Sequence, residues 1–259
     1  MSHLNIKIEA RRATITLARP ELRNAFNDEV IAELSQAFAE LGQHDEVRAI
    51  VLAAEGPAFC AGADLNWMRR MADYDRAQNL ADAARLAEML RVVHQCPKPV
   101  VARVQGDVYA GGMGLVACCD IAISADSAHY CLSETRLGLL PATLSPYVMR
   151  AMGPRAAQRY CLSAERFDAA EALRIGFVHE VVTADRLDER VDAVAQALVN
   201  ASPAAVRACK RLLHDVAQRE IDAELIAQTV EAIADVRASQ EGREGVQAFL
   251  QKRQPAWLA

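Results

Sequence analysis

One carboxyl group stands out because the sequence around it carries almost no charge. Residues 108–149 hold four charged side chains, whereas about ten would be expected at the chain's average of 24%. Glu134 lies in this apolar stretch, with Arg136 two residues further on. A carboxyl in such surroundings is either a structural group paired with a cation or a group whose raised pKa suits it to proton transfer. Both interpretations stay open, because Arg136 is close enough along the chain to neutralise Glu134.

Two runs of small residues could provide groups that act together with such a carboxyl. The first covers residues 59–65 (FCAGADL), and the second covers residues 109–113 (YAGGM). The first is expected directly after a buried strand that ends near residue 54, and the second directly after one that ends near residue 104. Each is expected to precede a helix, where backbone N–H groups are free and the helix dipole is positive. Two such N–H groups aimed at one carbonyl oxygen would form an oxyanion hole. A single glycine-rich turn is more often explained by close packing.

Composition excludes several other classes of function. The 259 residues are 52% hydrophobic and carry a net charge of −5, which argues against a disordered chain and a general nucleic-acid binder. The longest uncharged stretches, 108–119 and 137–149, are too short to span a membrane, and the first residues do not resemble a secretory signal. Seven scattered cysteines without a CxxC pair predict free thiols in the cytoplasm and no metal site. Neither a P-loop nor a dinucleotide fingerprint is present.

The elements that must position these residues alternate in type along the first part of the chain. Strands are predicted at 6–9 and 13–17, turned at 11–12, and at 48–53 and 99–104. Helices are predicted from Asn27 to about residue 41 and at 76–93. This α/β order predicts a mostly parallel sheet with helices outside. Only helices are predicted from residue 187 onward: 187–200, 203–218, 221–239 and 241–251. We therefore expect a core over 1–195 and a helical region over 196–259.

Taken together and in order, several segments closely resemble the enoyl-CoA hydratase/isomerase (crotonase) superfamily. They are residues 19–20 (RP), 23–27 (RNAFN), 59–65 (FCAGADL), 110–112 (AGG), 119–122 (CDIA), 133–134 (SE), 241–249 (which begins with EG) and 252–253 (KR). The resemblance implies a spiral of β-β-α units with a C-terminal all-helical trimerisation region. It also implies a homotrimer or a homohexamer built as a dimer of trimers. The substrate would be a coenzyme A thioester, with no separate cofactor.

The resemblance also implies roles for individual residues. The backbone N–H groups of Ala63 and Gly111 would bind the thioester oxygen and stabilise an enolate, and Glu134 would be the catalytic carboxyl. The residues implied to bind coenzyme A are Arg23, Asn24, Ala25, Ala61, Leu65, Phe249 and Lys252. The residues expected around the acyl group are Gly114, Arg136, Trp67, Tyr109, Met113 and Tyr147, of which Tyr147 is more readily explained as a packed aromatic.

One position departs from the common pattern of the superfamily. Typical hydratases carry a first catalytic glutamate three residues after the oxyanion glycine, where this chain has Gly114. With one carboxyl, either Glu134 performs both proton transfers in a syn addition, or another group holds the water. A single glutamate at this position is also what the superfamily's double-bond isomerases use. The fold alone therefore does not decide the reaction.

A finer resemblance points to one bacterial subgroup. Residues 64–71 (DLNWMRRM), 131–134 (CLSE), 139–142 (LLPA) and 145–148 (SPYV) are similar to methylglutaconyl-CoA and carboxygeranoyl-CoA hydratases of leucine and acyclic-terpene breakdown. Their substrates carry a second carboxylate, so a buried cation is expected, first Arg136 and then Arg69 or Arg70. The favoured reaction is hydration of 3-methylglutaconyl-CoA to 3-hydroxy-3-methylglutaryl-CoA. A Δ3,Δ2-enoyl-CoA isomerase, a decarboxylase and a catalytically lapsed CoA-binding protein are the alternatives.

Overall fold

A six-stranded sheet forms the centre of the protein. The structure is a computed structural model and describes residues 2–258. In spatial order, the strands are β1 (Leu4–Glu9), β2 (Arg12–Leu17), β3 (Ala49–Ala54), β5 (Val100–Val104), β7 (Ile121–Ala125) and β10 (Glu180–Val182). Only the β1–β2 pair is antiparallel. All six residues of β3 are buried, as expected for a parallel strand covered on both faces.

A second sheet of very short strands runs beside the first. Its strands, in spatial order, are β4 (Ala58–Cys60), β6 (Asp107–Tyr109), β8 (His129–Cys131) and β9 (Phe167–Asp168). Each of the first three follows a strand of the main sheet by a few residues, which generates repeated β-β-α units. The two small-residue turns therefore follow β4 and β6, and the expectation that they directly follow the main-sheet strands is wrong. Strands of three residues carry too little alternation for sequence periodicity to detect them.

Ten α-helices surround and extend the two sheets over residues 2–258. They are α1 (Asp28–Gln43), α2 (Leu65–Ala72), α3 (Arg76–His94), α4 (Gly111–Cys118), α5 (Ser145–Ser163, interrupted at Gly153), α6 (Ala169–Arg174), α7 (Leu187–Asn200), α8 (Pro203–Val216), α9 (Ala223–Ala238) and α10 (Gln240–Leu250). As predicted, Asn27 caps α1, because its side chain accepts a hydrogen bond from the Val30 N–H at 3.0 Å. The first hairpin turns at Ala10 and Arg11, one residue earlier than predicted.

Helix α7 shows where the core gives way to the helical region. Its buried residues Leu187, Val191 and Ala195 pack on a face of the main sheet, in one cluster with Val51 and Val101. The predicted boundary between residues 195 and 196 therefore cuts through a helix that belongs to the core. Helix α7 ends at Asn200, and residues 201–202 connect it to α8, so the change from core to helical region falls at this connection. The mixed α/β architecture with repeated β-β-α units and a helical C-terminal part agrees with the fold that the resemblance implies.

The helices after α7 keep large apolar side chains in contact with solvent in the single chain. Among the exposed residues are Leu213, Ile226, Val230, Phe249 and Leu250. Across residues 2–258, however, none of the helices is both long enough and apolar enough to cross a membrane.

Candidate active site

The backbone of Phe26 fixes the position of Ala63, the first candidate oxyanion donor. The Phe26 N–H donates to the Gly62 carbonyl at 2.9 Å, and its carbonyl accepts from the Asp64 N–H at 3.0 Å. These two bonds form a parallel bridge in which Phe26 pairs with Ala63. In such a bridge the residue opposite turns its own N–H away from its partner. The Ala63 N–H accordingly donates to no atom within residues 2–258 and is free to bind a ligand.

The second candidate donor, Gly111, begins α4. The preceding residue, Ala110, has a φ of 47° and donates its own N–H to the Cys131 carbonyl at 2.8 Å. As the first residue of a helix, Gly111 has an N–H without an intrahelical acceptor, and no other acceptor occurs in the described part of the chain. The positive end of the α4 dipole therefore lies at a free donor, as the sequence predicted.

Packing brings these two turns together. A Cβ added to Gly62 would lie 3.0 Å from the Cβ of Ala110, so the two backbones touch. A Cβ added to Gly111 would lie 2.2 Å from Cζ of Phe26, so only glycine allows the ring to rest there. Phe26 thus contacts the second turn with its ring and bridges the first with its backbone. No local pattern in the sequence marks Phe26 for this role, because a buried phenylalanine is typical of any hydrophobic core.

Glu134 starts a 3₁₀ turn just after β8, the strand that pairs with the one leading to Gly111. Its Oε2 is buried and has no hydrogen-bond partner within residues 2–258. Burial raises the pKa of the Glu134 carboxyl, although its own backbone N–H opposes the shift. A buried carboxyl oxygen without a partner is rare in folded proteins. Of the two interpretations left open by the sequence, the structure favours the group suited to proton transfer.

Arg136 does not neutralise this carboxyl. Its guanidinium donates to the Ala164 carbonyl at 2.6 Å, and Oε2 of Glu134 has no partner within the described residues. Arg69 is exposed and donates to the Asn66 side chain, and Arg70 is exposed and pairs with Asp28 at 2.6 Å. The structure therefore places none of the three arginines as the buried cation that the finer resemblance led us to expect.

Gly114 is packed so closely that a side chain there would clash. An added Cβ would lie 2.8 Å from Cβ of Leu144 and 3.3 Å from Cδ2 of Leu90, and both leucines are buried. The space that a first glutamate would need is therefore filled by core side chains. Position 114 therefore supplies no second carboxyl for proton transfer, and Glu134 is the candidate for that role among the described residues.

The residues expected along coenzyme A fall into two groups. In the first, the N–H of Ala61 donates to the Arg23 carbonyl at 3.0 Å, which holds the 23–25 segment against the strand before Ala63. Arg23 is half-exposed and pairs with Asp107 at 2.8 Å, whereas Ala25 is buried. Asn24 is also buried, and its amide nitrogen donates to the Glu55 and Ala58 carbonyls. Its side chain is therefore occupied in holding the loop.

The second group lies at the surface. Leu65 is 68% exposed at the start of α2, and Phe249 is 83% exposed near the end of α10. Lys252 follows α10 with a φ of 55° and is also exposed. Helix α10, which carries Phe249, packs chiefly against α8 and α9.

The residues expected around the acyl group have distinct environments. Met113 is fully buried in the core, and Trp67 is buried with its ring centroid 6.3 Å from that of Phe26. Tyr109 is half-buried, and its hydroxyl donates to Asp107 at 3.3 Å. Tyr147 packs edge-on against His94 at 5.1 Å, which matches the interpretation as a packed aromatic.

The fold and the site together define a class of protein: a fold of repeated β-β-α units in which two turns carry free N–H groups and a carboxyl without a charged partner follows the strand next to the second turn. A family model described as enoyl-CoA hydratase/isomerase matches residues 7–259, so the chain belongs to the enoyl-CoA hydratase/isomerase family.

Individual relatives agree with this family over nearly their full length. The chain is 42% identical to an enoyl-CoA hydratase of known structure from Shewanella pealeana, with a TM-score of 0.96 and coverage of 99% of this chain and 96% of that one. It is 34% identical to the enoyl-CoA hydratase of Mycobacterium smegmatis, with a TM-score of 0.94 and complete coverage of both chains. A crotonyl-CoA hydratase from Syntrophomonas wolfei is 29% identical, again over the whole of both chains.

Proposed function

We propose that this protein catalyses the reversible addition of water across the 2,3 double bond of an enoyl-CoA thioester. The observation that carries the proposal is the buried Oε2 of Glu134, which has no hydrogen-bond partner among the described residues. Glu134 lies three residues after Cys131, whose carbonyl accepts the hydrogen bond from the Ala110 N–H just before Gly111. Family membership and the names of the relatives support the same reaction. No metal or separate cofactor is needed, because the groups involved are a carboxyl and two backbone amides.

The proposed mechanism uses Glu134 twice. The N–H groups of Ala63 and Gly111 bind the thioester oxygen and withdraw electrons from the double bond. Ionised Glu134 takes a proton from water as the water oxygen bonds to C3, and the electrons of the double bond move onto the thioester as an enolate. Glu134 then returns that proton to C2, which restores the thioester. The raised pKa of Glu134 suits both steps, because the group must accept and release a proton near neutral pH.

As the substrate we propose 3-methylglutaconyl-CoA, which would give 3-hydroxy-3-methylglutaryl-CoA in leucine or acyclic-terpene catabolism. The support is the resemblance of residues 64–71, 131–134, 139–142 and 145–148 to the corresponding subgroup. Since Arg136 is held at the surface by Ala164, it would meet the second carboxylate at the rim of the site. We further propose a cytoplasmic homotrimer or homohexamer in which Phe249 and Lys252 reach the coenzyme A of a neighbouring subunit.

A panel of three thioesters tests the proposal directly. The protein is incubated with 3-methylglutaconyl-CoA, crotonyl-CoA and a longer branched glutaconyl-CoA, and each product is identified by mass spectrometry. Hydration adds the mass of one water, and we expect the fastest conversion for 3-methylglutaconyl-CoA. Faster conversion of crotonyl-CoA would contradict the substrate but keep the reaction. A product of unchanged mass would contradict the reaction.

Isomerisation is the second candidate, favoured by the packing that excludes a second catalytic carboxyl at position 114. In that reaction, Glu134 would remove a proton from C2 of a 3-enoyl-CoA and return it to C4. A 3-enoyl-CoA substrate in deuterated water distinguishes the two reactions. Isomerisation gives a conjugated thioester without added water, whereas a hydratase leaves the 3-enoyl compound unchanged.

A further inference from the structure

A buried ion pair lies directly beside the first oxyanion donor. The Arg19 guanidinium meets Oδ2 of Asp64 at 2.9 Å, with only 14% of the arginine side chain and 7% of the aspartate side chain exposed. Asp64 immediately follows Ala63 in the chain. Charged groups are seldom removed from water to this extent unless the geometry requires it, because the desolvation cost offsets most of the attraction.

Asp64 fixes the chain on the far side of Ala63. Its N–H donates to the Phe26 carbonyl, and its Oδ1 accepts from the N–H groups of Asn66 at 2.8 Å and Trp67 at 3.3 Å, which caps α2. Burial on its own would raise the pKa of Asp64, but these N–H groups and Arg19 hold it below its usual value. The carboxylate is therefore charged, and all its bonds hold the turn.

Arg19 connects this turn to the segment that bridges it. A second nitrogen of the same guanidinium donates to the Ala25 carbonyl at 2.8 Å, and the Arg19 N–H donates to the Asn24 side chain at 3.0 Å. Ala25 precedes Phe26, and Phe26 bridges Ala63. The guanidinium thus completes a closed chain of contacts: it binds the Ala25 carbonyl and the Asp64 carboxylate, and the neighbouring residues Phe26 and Ala63 are joined by the β-bridge.

Only an arginine can complete this closed chain of contacts. Its planar guanidinium presents several donors in a fixed geometry, so one nitrogen can hold a carbonyl while another holds a carboxylate. A lysine ammonium can keep the ion pair with Asp64, but it does not present two separate nitrogens in a fixed plane. An oxyanion hole depends on donors that are in place before charge develops, and errors of about 0.5 Å in position reduce its effect.

We propose that Arg19 is a positioning residue for the reaction, which aims the Ala63 N–H at the thioester oxygen by joining Ala25 to Asp64. The proposal rests on the use of Ala63 as an oxyanion donor under the proposed function. Arg19 itself touches no reacting atom, so its contribution passes through the backbone of the turn.

The test measures how strongly the site polarises a thioester carbonyl. Butyryl-CoA labelled with ¹³C at C1 is saturated and cannot be hydrated, and isotope-edited infrared difference spectroscopy reports its carbonyl stretch when bound. We expect a shift to lower frequency in the wild type, and a loss of at least about half of that shift in Arg19→Gln. The dissociation constant should stay within about threefold, while kcat for 3-methylglutaconyl-CoA falls about tenfold or more. Arg19→Lys should give intermediate values.

Arg91→Gln is the matched control, because Arg91 also pairs with a carboxylate, Glu88 at 2.6 Å, but on the exposed surface of α3. It should keep the full carbonyl shift. An undiminished shift in folded Arg19→Gln would overturn the proposal, as would an equal loss in Arg91→Gln. Should Arg19→Gln fail to fold, the folded Arg19→Lys variant decides the matter by the same criterion. A wild type that binds butyryl-CoA without any shift would overturn the oxyanion hole itself and this inference with it.

Discussion

Two carboxyls of the candidate site, the buried Asp64 and the half-buried Glu134 with its one buried oxygen, have opposite surroundings. Asp64 accepts two backbone N–H groups and pairs with Arg19, whereas one oxygen of Glu134 has no partner among residues 2–258. The pKa of Asp64 is lowered against the effect of burial, and burial raises the pKa of Glu134. The difference separates two uses of the same functional group. A satisfied carboxylate holds geometry, and an unsatisfied one remains available for chemistry at a cost to stability.

The largest expected effect comes from Glu134→Gln. Glutamine keeps the shape of the side chain but cannot carry a proton between water and C2, so the turnover number should fall about 10³-fold. Steady-state kinetics with 3-methylglutaconyl-CoA measures this, and binding of butyryl-CoA should persist. Glu231→Gln, at an exposed position on α9, provides the control. Equal and slow conversion by wild type and Glu134→Gln would favour a CoA-binding protein without catalytic activity.

Asp64→Asn should mainly reduce stability. Removing one charge of a buried pair leaves the other unpaired, and we expect the free energy of unfolding to fall by about 3 kcal/mol. Urea denaturation followed by circular dichroism measures the change. Asp192→Asn breaks an exposed pair with Arg12 and should cost less than about 1 kcal/mol. A loss at Asp64 no larger than at Asp192 would remove the contrast between the two carboxyls.

The two variants should also differ in how their effect on stability depends on pH. Because the folded-state pKa of Glu134 lies above its ordinary value of 4.5, the folded protein binds the extra proton, and stability falls as pH rises through that range. Glu134→Gln should therefore gain stability over the wild type above about pH 4.5 and lose that gain below it. Asp64 has a lowered pKa, so its stabilisation is complete above 3.8 and is lost only as pH falls further.

Urea titrations between pH 4 and pH 8 test this contrast. The gap between wild type and Glu134→Gln should change across the range, while the gap between wild type and Asp64→Asn should stay constant. Parallel slopes for the two variants would show that the two carboxyls titrate alike, contrary to their surroundings.

The smallest effect on stability is expected from Arg136→Gln. If Arg136 is not the partner of Glu134, its removal should change the free energy of unfolding by less than about 0.5 kcal/mol. The pH dependence of kcat should also keep its midpoint, because Ala164 and not Glu134 holds the guanidinium. A midpoint displaced upward would indicate that Arg136 stabilises ionised Glu134 in solution.

Long elements and capped ends could be predicted from the sequence, but short strands and tertiary contacts could not. Helix α7 begins and ends at the predicted residues 187 and 200, and the Asn27 cap is correct. Both depend on local periodicity or on a side chain bonding its own neighbours. The three-residue strands β4 and β6 were missed, because they are held by pairing with distant strands.

The site itself shows the same limit. Glu134 could be singled out from its charge-poor surroundings, and family resemblance supplied Ala63 and Gly111. The pairing of Arg19 with Asp64 spans 45 residues, so no local pattern reveals it. Arg136 was expected to face the site because it is near in sequence, but a 3₁₀ turn directs it to Ala164 instead.

The close packing at Gly114 also limits how this protein could evolve. A second carboxyl at that position needs Leu144 to give way, since their Cβ atoms would be only 2.8 Å apart. Replacing glycine first would overpack the core, and shortening the leucine first would open a cavity, with either intermediate costing about 1–5 kcal/mol. The two substitutions are therefore epistatic, and a lineage with this packing has no single-step path to a two-glutamate site. Selection for faster water activation would have to act around Glu134 instead.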